Sequence, residues 1–177
     1  MKAAAALAAW LVLSTPLSVL AQSSSPSSED VEAAYLYQFG LYVEWPPGVV
    51  DDSDTFDICV LGMDPLGAAL DEIVAGKAIT GRQVESKRIA EPGDSGDCRI
   101  LFVSSSENAR VPAILKALAG TRVLTVGRGA DFTRRGGMIG FTFDDRRVRF
   151  VVNLAAADAA KLMLSSQLLR VAVRVDR

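Results

Sequence analysis

The chain has 177 residues, half of them hydrophobic, which suits a single domain with a substantial core. It contains no histidine, and this removes the Ser-His-Asp arrangement, the usual metal sites and the commonest general base together. With 19 basic and 21 acidic residues the formal charge is −2, and loss of a leader carrying only Lys2 makes it −3, so nucleic acid is a poor partner.

Lys2, the apolar stretch Ala3 to Leu13, and Val19-Leu20-Ala21 before a polar segment predict a signal peptide over residues 1–21, cleaved after Ala21. Ser14, Thr15 and Pro16 cut the apolar run short of the ~20 residues a membrane span requires. No cysteine stands at the cut, which argues against a lipoprotein. Gln22 to Ser28 reads as a disordered Ser/Pro tether. One folded domain is expected over residues 29–177.

Asp30 is expected to cap a helix from Val31 to about Val43, with Val31, Tyr35, Phe39 and Tyr42 along one side and Ala34 and Leu36 beside them. Trp45-Pro46-Pro47-Gly48 stops it, and Asp51 to Asp54 reads as a solvated acidic loop. Phe56 to Leu61 is the first sheet strand. After it Asp64 is expected to cap a helix with Pro65 in its first turn, and Leu66, Leu70, Ile73 and Val74 supply the packing stripe up to Gly76. Gly62 and Gly67 are spaced like phosphate-loop glycines, but no Lys-Ser or Lys-Thr follows, so that motif is absent. Lys77 to Gln83 reads as loop, Val84 to Ile89 as strand, and Glu91 to Asp97 as turn and loop.

The stretch Cys98 to Gly127 organises the fold. Ile100 to Val103 is an unbroken apolar run, as in a strand covered on both faces. Ser104 and Glu107 have capping-box spacing, while Pro112 places the main helix start near Val111. Val111, Ile114, Leu115 and Leu118 form its stripe, Gly120 ends it, and Val123, Leu124 and Val126 make the next strand. Strand, crossover helix and strand within about 30 residues is a parallel unit. The implied fold is α/β and Rossmann-like, a mostly parallel sheet with helices on its faces.

Arg128 to Gly137 reads as a loop containing Phe132. Ile139, Phe141 and Phe143, then Val148, Phe150 and Val152, alternate about Asp144-Asp145-Arg146-Arg147, which predicts an antiparallel hairpin with Arg147 and Arg149 on its more exposed face. From Asn153 the period becomes helical, with Ala160, Leu164, Leu168, Val171 and Val175 on one side of a terminal helix. Lys161, Arg170, Arg174 and Arg177 lie where the helix dipole favours cations. Arg170 and Arg174, one turn apart on that helix, are the candidate contacts for a partner or an anion.

Catalytic chemistry finds little support, and no cofactor or metal is expected. Ser104-Ser105-Ser106 lies beyond a strand's carboxyl end, where open α/β sheets hold ligands, but serines there also cap helices and no Gly-x-Ser-x-Gly elbow accompanies them. Cys59 and Cys98, an even count in an exported chain, suggest a disulfide, the alternative being two buried free thiols. They do not form a Cys-x-x-Cys redox pair.

VEAAYLYQFGLYVEWP, ICVLGMDPLGAAL, the GR of ITGRQV, CRILFVSSSE, VLTVG, GGMIGF, VRFVVN and SSQLLRVAV stand in the order and spacing of the YfiR family, and from about Val31 to Val173 the chain resembles it. The resemblance implies a periplasmic, non-enzymatic repressor. Such a protein engages the periplasmic sensor region of a membrane-bound diguanylate cyclase, lowering cyclic di-GMP and biofilm formation. It also implies a homodimer and a Cys59–Cys98 disulfide; the family's second pair, around the C-terminal hairpin, has no counterpart here. The competing reading is a periplasmic receptor for a small ligand, with its pocket in the crevice beyond the parallel strands.

Overall fold

Ser27 caps the first helix. Its hydroxyl accepts from the Asp30 amide at 3.1 Å and its own amide donates to the Asp30 carboxylate at 2.8 Å, a capping box that opens α1 (Ser28–Tyr42). Asp30 is therefore the third residue of the helix and not its cap, and the helix starts inside the stretch expected to be tether. The computed structural model describes residues 25–46, 54–145 and 147–176. The expected leader, most of the tether, Pro47-Gly48, Asp51 to Ser53 of the acidic loop, Arg146 and Arg177 lie outside the described residues.

The chain continues through β1 (Val43–Glu44), β2 (Thr55–Leu61), α2 (Ala68–Val74), β3 (Ala78–Ile79), β4 (Arg82–Ile89) and β5 (Cys98–Val103). There follow α3 (Val111–Ala117), β6 (Leu124–Arg128), α4 (Ala130–Arg134), β7 (Ile139–Asp144) and β8 (Arg147–Asn153), then α5 (Leu154–Ala159), β9 (Met163–Leu164), α6 (Ser166–Val171) and β10 (Arg174–Asp176). Eight strands form one sheet in the order β10-β8-β7-β6-β5-β2-β4-β3. Its centre, β7-β6-β5-β2-β4, is parallel throughout, and the β7/β8 hairpin is antiparallel as expected, with Phe141 opposite Phe150. β1 and β9 pair separately.

Strands buried on both faces need a helical layer on each. On one side α1, α2, α5 and α6 cover Phe56, Ile58, Val60, Ile100, Phe102, Phe141 and Phe150. On the other, Val111 and Ile114 from α3, its C-cap Leu118 and the loop side chain Val123 pack with Phe132 from α4 over Cys59, Leu61, Leu101 and Val103. The aromatic character of α1 is spent in the first layer: Phe39 meets Phe150 edge-on at 5.2 Å and Phe141 at 5.9 Å, and Tyr35 meets Phe150 at 5.3 Å. The buried face is rotated from the expected one, because Ala33, Leu36 and Phe39 are sealed while Tyr42 is exposed.

Besides α1, four segments differ from the sequence expectation. Gly67 (φ +50°) interrupts the turn after Pro65, so α2 starts at Ala68 and Asp64 instead accepts from the Leu66 amide at 2.8 Å. The expected loop Lys77 to Gln83 is a tight hairpin in which Thr80 and Gly81 both take positive φ, as a two-residue turn requires. The expected loop Arg128 to Gly137 contains α4, whose Phe132 ring is held between Gly127 and Gly137. The terminal helix is broken: Lys161 takes φ +61° and Leu162 donates to the Ala157 carbonyl, which ends α5, and Ser165 then caps α6 through the Leu168 amide at 3.2 Å. The chain finishes as β10, parallel to β8, so the last element is a strand.

Candidate functional site

The two cysteines share one face of the sheet because of a bulge. Side chains alternate along a strand, and an unbroken register between β2 and β5 would put Cys98 opposite Phe56, on the other face from Cys59. Instead Cys98 stands opposite Asp57 and Ile100 opposite Ile58, leaving Arg99 as the extra residue. Cys98 thereby joins Cys59, Leu101 and Val103 and is disulfide-bonded to Cys59, 39 positions away in sequence, with Cα atoms 5.8 Å apart. Both are buried, so the bond is sealed beneath the second helical layer.

The crevice at the carboxyl ends of β2 and β5 is the point where strand order reverses, and open α/β sheets bind ligands there. Here its polar groups hold the walls together. Ser106 Oγ accepts from the Met63 amide at 3.0 Å, and the Ser106 and Glu107 side chains lie within 2.7 Å of where a Cβ on Gly62 would stand. Ser104 caps the 3₁₀ turn Ser105–Arg110 through the Ser106 amide at 3.4 Å; Glu107 pairs with Arg110, so the expected capping box does not close. Arg88 is bonded to Asp64, Asp71, Ser86 and the Gly67 carbonyl. What remains is a shallow groove of about 550 Å³.

A buried ion pair ties α1 to the sheet. Glu32 is fully buried and accepts from Arg128 Nε at 2.9 Å and from Nη2 at 2.5 Å, and Arg128 also lies 3.6 Å from Glu29. Burial raises the Glu32 pKa above the ordinary glutamate value, and the Arg128 guanidinium opposes that shift. Arg128 is itself raised, first by its hydrogen bond to Glu32. Sequence reading missed both residues. The available signal was spacing, since Glu32 precedes Leu36 by four residues and Phe39 by seven and so shares their buried face.

The candidate contacts separate in the structure. Arg170 lies in the last turn of α6, whereas Arg174 lies in β10 and is bonded through Nε to Asp176 at 3.1 Å, so the two are not one turn apart on a helix. Arg170 is exposed and has no ion pair among the described residues. It stands at the rim of a groove of about 490 Å³ between α1 and α6, lined also by Tyr35, Tyr42, Leu168 and Val171. Among the described residues no group of three or more His, Cys, Asp or Glu side chains can hold a metal, and no helix is long and apolar enough to cross a membrane.

No curated protein matches the chain. A conserved domain protein from Vibrio cholerae O1 biovar El Tor has a similar structure, with a TM-score of 0.57 at 12% identity, over 86% of this chain and 62% of that one. An ABC domain from Streptococcus pneumonia, in complex with L-Trp, has a TM-score of 0.55 at 10% identity, over 79% of this chain and 58% of that one. The chain thus spans about three fifths of each, and at such identities the likeness is one of fold. The family model described as YfiR/HmsC-like matches residues 29–173, through α1, the parallel centre of the sheet and α6, and the chain belongs to that family.

Proposed function

We propose that the protein is a periplasmic negative regulator that binds the periplasmic sensor region of an inner-membrane diguanylate cyclase and lowers cyclic di-GMP and biofilm formation. Membership of the YfiR/HmsC-like family, a regulatory and not a catalytic one, is the observation that carries this reading. Three features support it. The leader-like residues 1–21 suit export, the sealed Cys59–Cys98 bond suits an oxidising compartment, and the absence of histidine throughout the chain leaves binding as the economical mode of action. The self-occupied crevice at β2 and β5 favours regulation by contact over small-ligand reception.

Export tests the proposal. In a strain lacking the gene, a copy with residues 1–21 should restore low cyclic di-GMP and low surface attachment, and a leaderless copy of equal abundance should not. Restoration by the leaderless copy would place the action in the cytoplasm and defeat the reading.

A further inference from the structure

We infer that the groove between α1 and α6 is the docking surface, and that its occupant is an amphipathic helix of the regulated membrane protein, laid with its apolar face on Tyr42, Leu168 and Val171 and with a carboxylate against Arg170. The inference rests on the regulator reading of the preceding section.

The groove has the dimensions and chemistry of a helix seat. Tyr35, Gln38 and Tyr42 line its long wall over two turns of α1, about 10 Å at 1.5 Å per residue. Leu168, only 3% exposed, is its floor, while Val171 on the rim is 59% exposed and Tyr42 36%. An apolar floor with exposed apolar rims leaves surface that association removes from water. Gln38 and Gln167 are uncharged polar side chains suited to a rim.

Charge decides between occupants. Arg170 is the charged residue of the lining, and among the described residues it has no carboxylate partner and no acid lines the groove. A second copy seated face to face on the same lining would bring Arg170 no carboxylate, because the lining residues carry none. A foreign helix carrying Asp or Glu beside its apolar stripe meets both needs. Arg174, already bonded to Asp176, is not required.

The test uses the mature chain and, as probe, the purified periplasmic region of the membrane cyclase whose deletion cancels the regulator's effect, with affinity measured by titration calorimetry. Arg170→Glu and Val171→Asp should each weaken binding roughly tenfold or more, Arg170→Lys should retain most of it, and Met63→Asp, at an exposed site on the crevice, should bind as the wild type does. Both groove positions are exposed, and unchanged melting of the variants will separate lost contact from lost fold. Wild-type binding that survives both groove substitutions overturns the groove and leaves the regulator reading standing. Wild type that does not bind the probe overturns both. Substitutions that abolish self-association in sedimentation but spare the complex assign the groove to a second copy and overturn the inference.

Discussion

Cys98 faces Cys59 only because Arg99 is one residue too many for the β2–β5 register: Asp57 pairs with Cys98 and Ile58 with Ile100. A bulge thus aims a covalent bond between adjacent parallel strands at the centre of the sheet. Cross-linking positions 39 residues apart restricts the unfolded chain and is worth about 4 kcal/mol. Replacing both cysteines by serine should therefore lower unfolding free energy in urea by roughly 3–4 kcal/mol or more, and reductant should narrow the difference between wild type and variant to the cost of two buried hydroxyls. Equal midpoints without reductant would mean that the bond contributes nothing.

The Glu32–Arg128 pair fixes α1 against the end of β6, and α1 is also one wall of the inferred docking groove. Arg128→Met leaves a fully buried carboxylate without its bidentate partner and should cost roughly 3 kcal/mol at neutral pH. The pH dependence has a definite sign. Because burial raises the folded-state pKa of Glu32, the folded chain holds this proton in a window just above the ordinary glutamate value in which the unfolded chain has released it, so this group's contribution to stability falls as pH rises through that window. Without Arg128 the window widens. The loss in Arg128→Met should accordingly be smaller at pH 5 than at pH 7.5 in urea titrations; the same loss at both would contradict the account.

Phe132 occupies the space that side chains at Gly127 and Gly137 would need. A Cβ on Gly137 would lie 2.2 Å from the ring edge, and on Gly127 2.6 Å from it. Gly137→Ala should displace the ring from the second core and destabilise the domain by about 1–3 kcal/mol. Gly93→Ala, with nothing within 4 Å of its added methyl, should be nearly neutral in the same melts.

The parallel centre was legible in the sequence because continuous apolar runs such as Ile100 to Val103 fit few other structures. The hairpin was legible for the complementary reason, strict alternation about a polar turn. The last segment was misread because Lys161, not glycine, takes the left-handed position that ends α5, so the usual stop signal is missing while the apolar period runs on through Leu164 and Leu168. That misreading carried the shared helical face with it: Arg170 and Arg174 lie on one face only on an unbroken helix, and here one is in the last turn of a helix and the other on a strand. The cysteine pair was legible from its even count, but not the bulge that permits it, since nothing in CRILFV marks Arg99 as the extra residue in the β2–β5 register.

Arg174 offers a contrast to Arg170. Its bond to Asp176 is local and exposed, so Arg174→Ala should shift unfolding free energy by less than about 1 kcal/mol and leave repression in cells intact, read out by surface attachment. Loss of repression at wild-type abundance would move the contact surface from α6 to the sheet edge at β10.

The central claim, that the protein acts by restraining a membrane diguanylate cyclase, is tested most directly by quantifying cyclic di-GMP in strains lacking this gene, the cognate cyclase gene, or both. Deletion of this gene alone should raise cyclic di-GMP, and the double deletion should return it to the level of the cyclase deletion. An unchanged level in the single deletion across several growth conditions, or a rise that persists in the double deletion, would contradict it.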